Sequence, residues 1–240
     1  MRKITLLLFA VVFSMSMFAT RYLVQLGTGG AATWRVAGAG ETLVDLTVEA
    51  KTLNAWLSAN FATSFTEGDE IWLTAGTYQV AAIYNIPANF TIYGGFAGTE
   101  TAVGQRAQGA KAWNFNNETI IDGNNTVAIF GCASNRTAML DGITFTKGNV
   151  TGNAAALTAR LGVVVKNSKF INNVASGQGG AVLMNGGGEI YDSYFYANAA
   201  NLGGAVHIGG TGASLVSGCL FESNNATVGA NKQGGAIRSQ

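Results

Sequence analysis

Proline is nearly missing from this chain: Pro87 is the only one in 240 residues. Proline removes a backbone donor, so its scarcity leaves almost every residue free to join a hydrogen-bonded ladder. Charge is scarce as well. Only 11% of residues are Asp, Glu, Lys or Arg, and the net charge is +1. No basic patch points to nucleic acid, and no acidic run points to a metal buffer. Low charge together with 33 glycines would suit a disordered chain, but 48% hydrophobic residues oppose that reading. There is one histidine, His207, and there are two cysteines, Cys132 and Cys219.

Repetition is what the sequence has in plenty. FINNVASGQGGAV (Phe170 to Val182), FYANAANLGGAV (Phe195 to Val206) and FESNNATVGANKQGGAI (Phe221 to Ile237) share Phe-x-x-Asn followed by Gly-Gly-Ala-Val/Ile. The phenylalanines are 25 and 26 residues apart. Steps of 25 residues backward reach Phe145 and then Ile120. Val165, Ile190 and Val216 sit five residues before each Phe, and Asn173, Asn198 and Asn224 sit three after. A repeat of this length signals a solenoid. The β-branched and aromatic runs, broken by Gly, Asn and Ser, make its unit strands and turns. Circuits of ~25 residues stacked at ~4.8 Å describe a parallel β-helix. In such a stack the Phe column is the interior, the Asn column forms an amide ladder, and Gly-Gly lets the chain turn.

Phe-x-x-Asn with Gly-Gly-Ala-Ile/Val resembles the repeat of the chlamydial polymorphic outer membrane proteins. GDEIWLTAGTY (Gly68 to Tyr78), TIYGGFAGTET (Thr91 to Thr101) and NETIIDGNN (Asn117 to Asn125) resemble exported right-handed β-helix proteins of Bacteroidetes. The resemblance runs from about Arg21 onward. It implies the pectin-lyase-like fold: an all-β, right-handed parallel β-helix, exported to the outer-membrane surface or beyond the cell. It implies no single activity, because both enzymes and adhesins use that fold.

The N-terminus carries Arg2 and Lys3, an apolar run from Ile4 to Phe13, and small residues ending at Ala19. This pattern predicts a secretory signal peptide over residues 1–19, with Met17 an imperfect residue at the −3 position. The run falls short of the ~20 residues of a membrane span, and no cysteine near the site calls for lipidation. No other stretch reaches membrane length. Residues 20–79 are expected to form a cap region and the first strands, with coils over 80–240. Leu53, Trp56, Leu57 and Phe61 share one helical face, predicting a helix that covers the open end before a first rung near GDEIWLTAG. The sequence stops at GGAIRSQ within a repeat, from which a longer protein is expected.

Column matching also sorts chemistry. Val182, Val206 and Ile237 match while Leu183, His207 and Arg238 do not, so the second set is expected to face solvent. His207 then reads as a solvated surface histidine with too few neighbours for a metal site. Cys219 shares a small interior column with Ser168 and Ser193, and Cys132 lies 87 residues earlier. That is about 3.5 circuits, or roughly 17 Å, beyond disulfide reach. After Asp141 only Glu189, Asp192 and Glu222 carry carboxylates, on different columns, so no acid–base pair is expected. Asp122 and Asp141, each before Gly, read as turn residues. The candidate binding residues are Tyr191, Tyr194 and Tyr196, expected to project from one exterior face as a platform for a polysaccharide or a host or cell-surface protein. No catalytic residue, cofactor or metal is assigned. The functional expectation is a secreted or cell-surface scaffold, adhesin-like and without catalysis in this segment. The alternative is the N-terminal part of a polysaccharide lyase or glycoside hydrolase with its catalytic coils downstream.

Overall fold

Most strands of this protein hydrogen-bond to the equivalent strand one repeat away, not to their neighbours in sequence. The structure is a computed structural model, and it describes residues 19–27, 34–133, 136–227 and 232–240. The apolar run and Met17 of the predicted signal segment lie outside the described residues. Three long sheets result. The first runs in the order Glu41–Asp45, Arg21–Gln25, Glu70–Thr74, Phe90–Phe96, Ala138–Asp141, Val163–Lys166, Gly188–Tyr191 and Ser214–Ser217. The second holds Gly76–Gln79, Thr119–Asp122, Ile143–Thr146, Lys169–Ile171, Tyr194–Tyr196 and Leu220–Glu222. The third holds Tyr84–Ile86, Phe130–Cys132, Leu157–Ala159, Val182–Asn185, Val206–Gly209 and Ile237–Ser239. Pairing within all three sheets is parallel.

Like residues therefore lie over like. Phe145, Phe170, Phe195 and Phe221 are in register. Their rings stack at 5.0, 4.7 and 4.6 Å, tilted by no more than 15°. The first three are fully buried. Beside them the predicted amide ladder is present. Asn173 Nδ2 donates to Asn198 Oδ1 at 3.0 Å, and Asn198 Nδ2 to Asn224 Oδ1 at 2.9 Å. The backbone N–H of Asn173 and of Asn198 donates to the same two oxygens, and each amide also donates to a phenylalanine carbonyl of the preceding repeat. Asn173 and Asn198 are thus buried without an unmet polar atom, which is the condition for keeping amides in a core. At the Gly-Gly corner, Gly203 has φ +68, and a Cβ on Gly204 would fall within 2.0 Å of the Gly235 carbonyl oxygen. No other residue type fits there.

Two expectations are corrected. Phe145 pairs with Ile121, not Ile120. The step is 24 residues there, and one residue of slip turns a side chain to the opposite face; Ile121 is accordingly buried and Ile120 only half-buried. The helix also does not precede every rung. Helix α1 (Leu53–Asn60) follows two strands, Arg21–Gln25 and Glu41–Asp45, that extend the first sheet ahead of Glu70–Thr74. Leu53, Trp56, Leu57 and Phe61 are buried as their spacing predicts. Tyr84 Oη on the edge strand of the third sheet donates to the Phe61 carbonyl at 2.9 Å, and Phe61 stacks on Phe65 at 3.9 Å. Over the early strands the first sheet is buried on its other side as well, by a cluster of Leu23, Trp34, Trp72 and Phe96.

Facing decides the cost of truncation. Phe195→Ala removes a fully buried ring from the middle of the stack and is expected to cost about 3–5 kcal/mol, while Tyr196→Ala, one residue on and 40% exposed, should cost under about 1 kcal/mol. Urea unfolding of the two variants measures both, and comparable losses would contradict the facing.

Candidate ligand-binding face

The outer surface of the second sheet is where exposed aromatic rings and charged groups gather. Its strands present two exterior columns. Lys169, Tyr194 and Leu220 form one, and Ile171, Tyr196 and Glu222 form the other. Tyr194 and Tyr196 alternate on one strand, with rings 6.0 Å apart and 23° between planes.

A third ring comes from outside the repeat. The strands Phe90–Phe96 and Thr119–Asp122 are joined by an insertion, residues 97–118, held down at both ends. Near its start the buried Glu100 carboxylate accepts the backbone N–H groups of Ala97, Gly98 and Thr99 at 2.8–3.0 Å. Further on, Arg106 donates to the Gly94 carbonyl at 2.9 Å and to Asp141 Oδ1 at 3.2 Å. Its guanidinium lies 4.7 Å from the centre of the buried Phe115 ring. These anchors present Trp113, whose ring stacks on Tyr194 at 5.8 Å and 13°. Tyr194 is the member common to both stacked pairs. Lys111 Nζ stands 5.9 Å from the Trp113 centroid.

The surrounding polar groups are satisfied yet partly open. Tyr194 Oη donates to Glu222 Oε2 at 2.6 Å. Partial burial, and then the Glu222 carboxylate, push the Tyr194 phenol up to about 12. Lys169 Nζ and Thr144 Oγ1 both donate to Glu118 Oε1, at 2.9 and 2.7 Å. Burial alone would raise the Glu118 carboxyl, but these two donors outweigh it and hold it below its ordinary value. Charges are balanced across the face, so it offers flat apolar ring surface and hydrogen-bonding groups, not a strong field of one sign.

The three tyrosines do not share one face. Asp192, with φ 45, turns the chain after Tyr191. Tyr191 therefore ends a strand of the first sheet, beside Lys166 and Ser217, with its hydroxyl on Glu189. Trp113, Glu118 and Lys169 belong to the face and were not foreseen. Trp113 lies outside the repeat columns, and only its being an aromatic in a long insertion hinted at it.

His207 also departs from expectation. It is in register with Leu183 and Arg238, but it is 0% exposed, and among the described residues neither ring nitrogen has a hydrogen-bond partner. Alternation along a strand gives direction, not whether that direction is open, and Leu183 in the same column is buried too. Asp122 and Asp141 prove to be more than turn formers. Asp122 accepts the Asn124 N–H, as a turn aspartate does, but also pairs with Lys147 at 2.9 Å. Asp141 pairs with Arg106 and accepts Asn167 Nδ2. Both cysteines are free, and burial pushes both thiols up. Among the described residues no group of three or more His, Cys, Asp or Glu side chains is placed to hold a metal, and no helix is long and apolar enough to cross a membrane.

No family model matches the chain, and neither the curated proteins nor the solved structures give a match.

Burial, and then the Arg238 charge, lower the His207 pKa. A lowered folded value means that the stability His207 permits is complete above its unfolded pKa of about 6.5 and is lost as pH falls below it. The melting temperature should therefore drop between about pH 7 and 5, and His207→Leu should flatten that part of the profile. Identical profiles for the two proteins would contradict a dry, neutral His207.

Proposed function

We propose that this protein is an exported, right-handed parallel β-helix scaffold whose outer second-sheet face binds a neutral polysaccharide without chemically altering it. The observation that carries the reading is the ring series Trp113–Tyr194–Tyr196 on an exterior sheet face. Pyranose rings expose axial C–H groups that lie well on aromatic faces, and their hydroxyls need acceptors and donors at the rim. Tyr196 is the most open ring of the three tyrosines' two strands at 40% exposure, and it neighbours Glu222, one of whose oxygens is already oriented by Tyr194. Lys169, one repeat away, supplies a donor, and Glu118, whose carboxylate reaches it from further along the sheet, supplies an acceptor. Balanced charge on the face favours a neutral chain over a polyuronate. Equivalent strands of successive circuits pair in parallel, and right-handed crossovers dominate such connections because right-twisted strands pack that way. Export to the cell surface or the medium is supported by the basic–apolar–small pattern of residues 1–19.

A glycan array followed by calorimetry on the best ligands tests this. Binding is expected to one or more neutral polysaccharides, weakened at least tenfold, or about 1.4 kcal/mol, by Tyr196→Ala and by Trp113→Ala. Tyr191→Ala, on the other sheet, should leave affinity unchanged, and all three variants should melt near the parent. Indifference to both Tyr196 and Trp113 would remove this face as the site. Release of reducing ends or unsaturated uronates would move the protein to the enzyme class.

A further inference from the structure

Asp69, at the start of the strand Glu70–Thr74, is a carboxylate only 5% exposed. Its Oδ2 accepts the Thr66 backbone N–H at 3.0 Å, and its Oδ1 accepts the Thr20 backbone N–H at 2.6 Å. Among the described residues no lysine or arginine pairs with it. Arg21, the adjacent cation in sequence, is turned to Glu41 and Glu70. A buried carboxylate held by two neutral backbone donors and no counter-ion is a costly thing to keep. The Thr20 nitrogen is also the first backbone nitrogen after Ala19, where the small residues following the N-terminal apolar run end.

We infer that the peptide bond between Ala19 and Thr20 is the processing site, and that the α-ammonium it releases is the counter-ion of Asp69. Water adds across the bond: the C–N bond breaks, Ala19 leaves as a carboxylate, and Thr20 keeps its nitrogen as an ammonium, protonated at neutral pH because α-amino groups titrate near 7.7–8.0. The nitrogen already donates to Oδ1, so hydrolysis changes its charge without requiring a new position. A neutral hydrogen bond becomes a charge-assisted one in a largely dry setting. The location makes that consequential. The Thr20 carbonyl accepts the Glu70 N–H at 3.0 Å, and the Arg21 N–H donates to the Gly40 carbonyl at 2.9 Å. Thr20 therefore sits where Arg21–Gln25 docks between its two neighbours in the first sheet, and the ion pair fixes that register. The inference rests on residues 1–19 being removed and is independent of what the outer face binds.

Two measurements separate its parts. N-terminal sequencing and intact mass of the exported protein should give Thr20 as the first residue; any other first residue overturns the assigned bond. Separately, chains beginning at Thr20 and at Ala19, each released from a cleavable fusion and both ending at Gln240, are compared by thermal melting. The Thr20 form should melt about 3–6 °C higher. Asp69→Asn should erase that difference, whereas equal melting of the parents, or a gap that survives Asp69→Asn, overturns the ion pair. If Asp69→Asn does not fold, Nα-acetylation of the Thr20 form, which keeps the N–H and removes the charge, decides. Melting like the Ala19 form supports the pair, and melting like the free Thr20 form overturns it.

Discussion

Parallel stacking of one repeat on the next is the constraint from which the rest of the molecule follows. A strand here finds its hydrogen-bond partners one repeat away, so from Ile143 onward each side chain sits about 25 positions from the residue it stacks on. That arrangement rewards identity. Four phenylalanines stack with nearly parallel rings, and asparagines pass hydrogen bonds from amide to amide while closing the phenylalanine carbonyls below. A hydrogen-bonded column of this kind keeps polar atoms in the core without leaving any unmet. It also explains the near absence of proline, which would interrupt the ladder wherever it occurred.

Because the interior is taken up by the columns, variation at the surface is confined to outward residues and to chain added between strands. Both sources converge on the second sheet. The strand Tyr194–Tyr196 supplies two rings as a by-product of its alternation, and the insertion 97–118 lays Trp113 against them. The insertion is not draped loosely. Arg106 ties it to Asp141 and Gly94, and Glu100 closes its first turn through three backbone N–H groups. Arg106 spans from the insertion to a strand that closes a later circuit, so the placement of Trp113 depends on repeats formed well after it in sequence.

Legibility in the sequence followed the same division. The Phe, Asn and Val/Ile columns were readable because identical residues recur at a fixed interval and each column has one physical role. The reading slipped by one residue at Ile120, where the interval shortens to 24, and alternation then sent the wrong side chain inward. It missed the strands Arg21–Gln25 and Glu41–Asp45, which carry no repeat signature. Of the tyrosine cluster, Tyr194 and Tyr196 were correctly grouped and Tyr191 was not, because a single left-handed residue, Asp192, moves the chain to another sheet. His207 shows the deeper limit. Its column was right but its exposure was not, because burial depends on what lies over a residue, and periodicity carries no information about that.

The insertion between Phe96 and Thr119 has an evolutionary meaning. Its surplus length is absorbed without disturbing the strand that follows: Gly76–Gln79 pairs residue for residue with Thr119–Asp122 across it. Mutations within it can reshape the ring array while the stacked columns go on specifying the fold, and changes in the columns can tune stability while the array stays in place. Selection can act on the outer face and on foldability through separate stretches of the chain, so closely similar scaffolds can diverge in the surface they present.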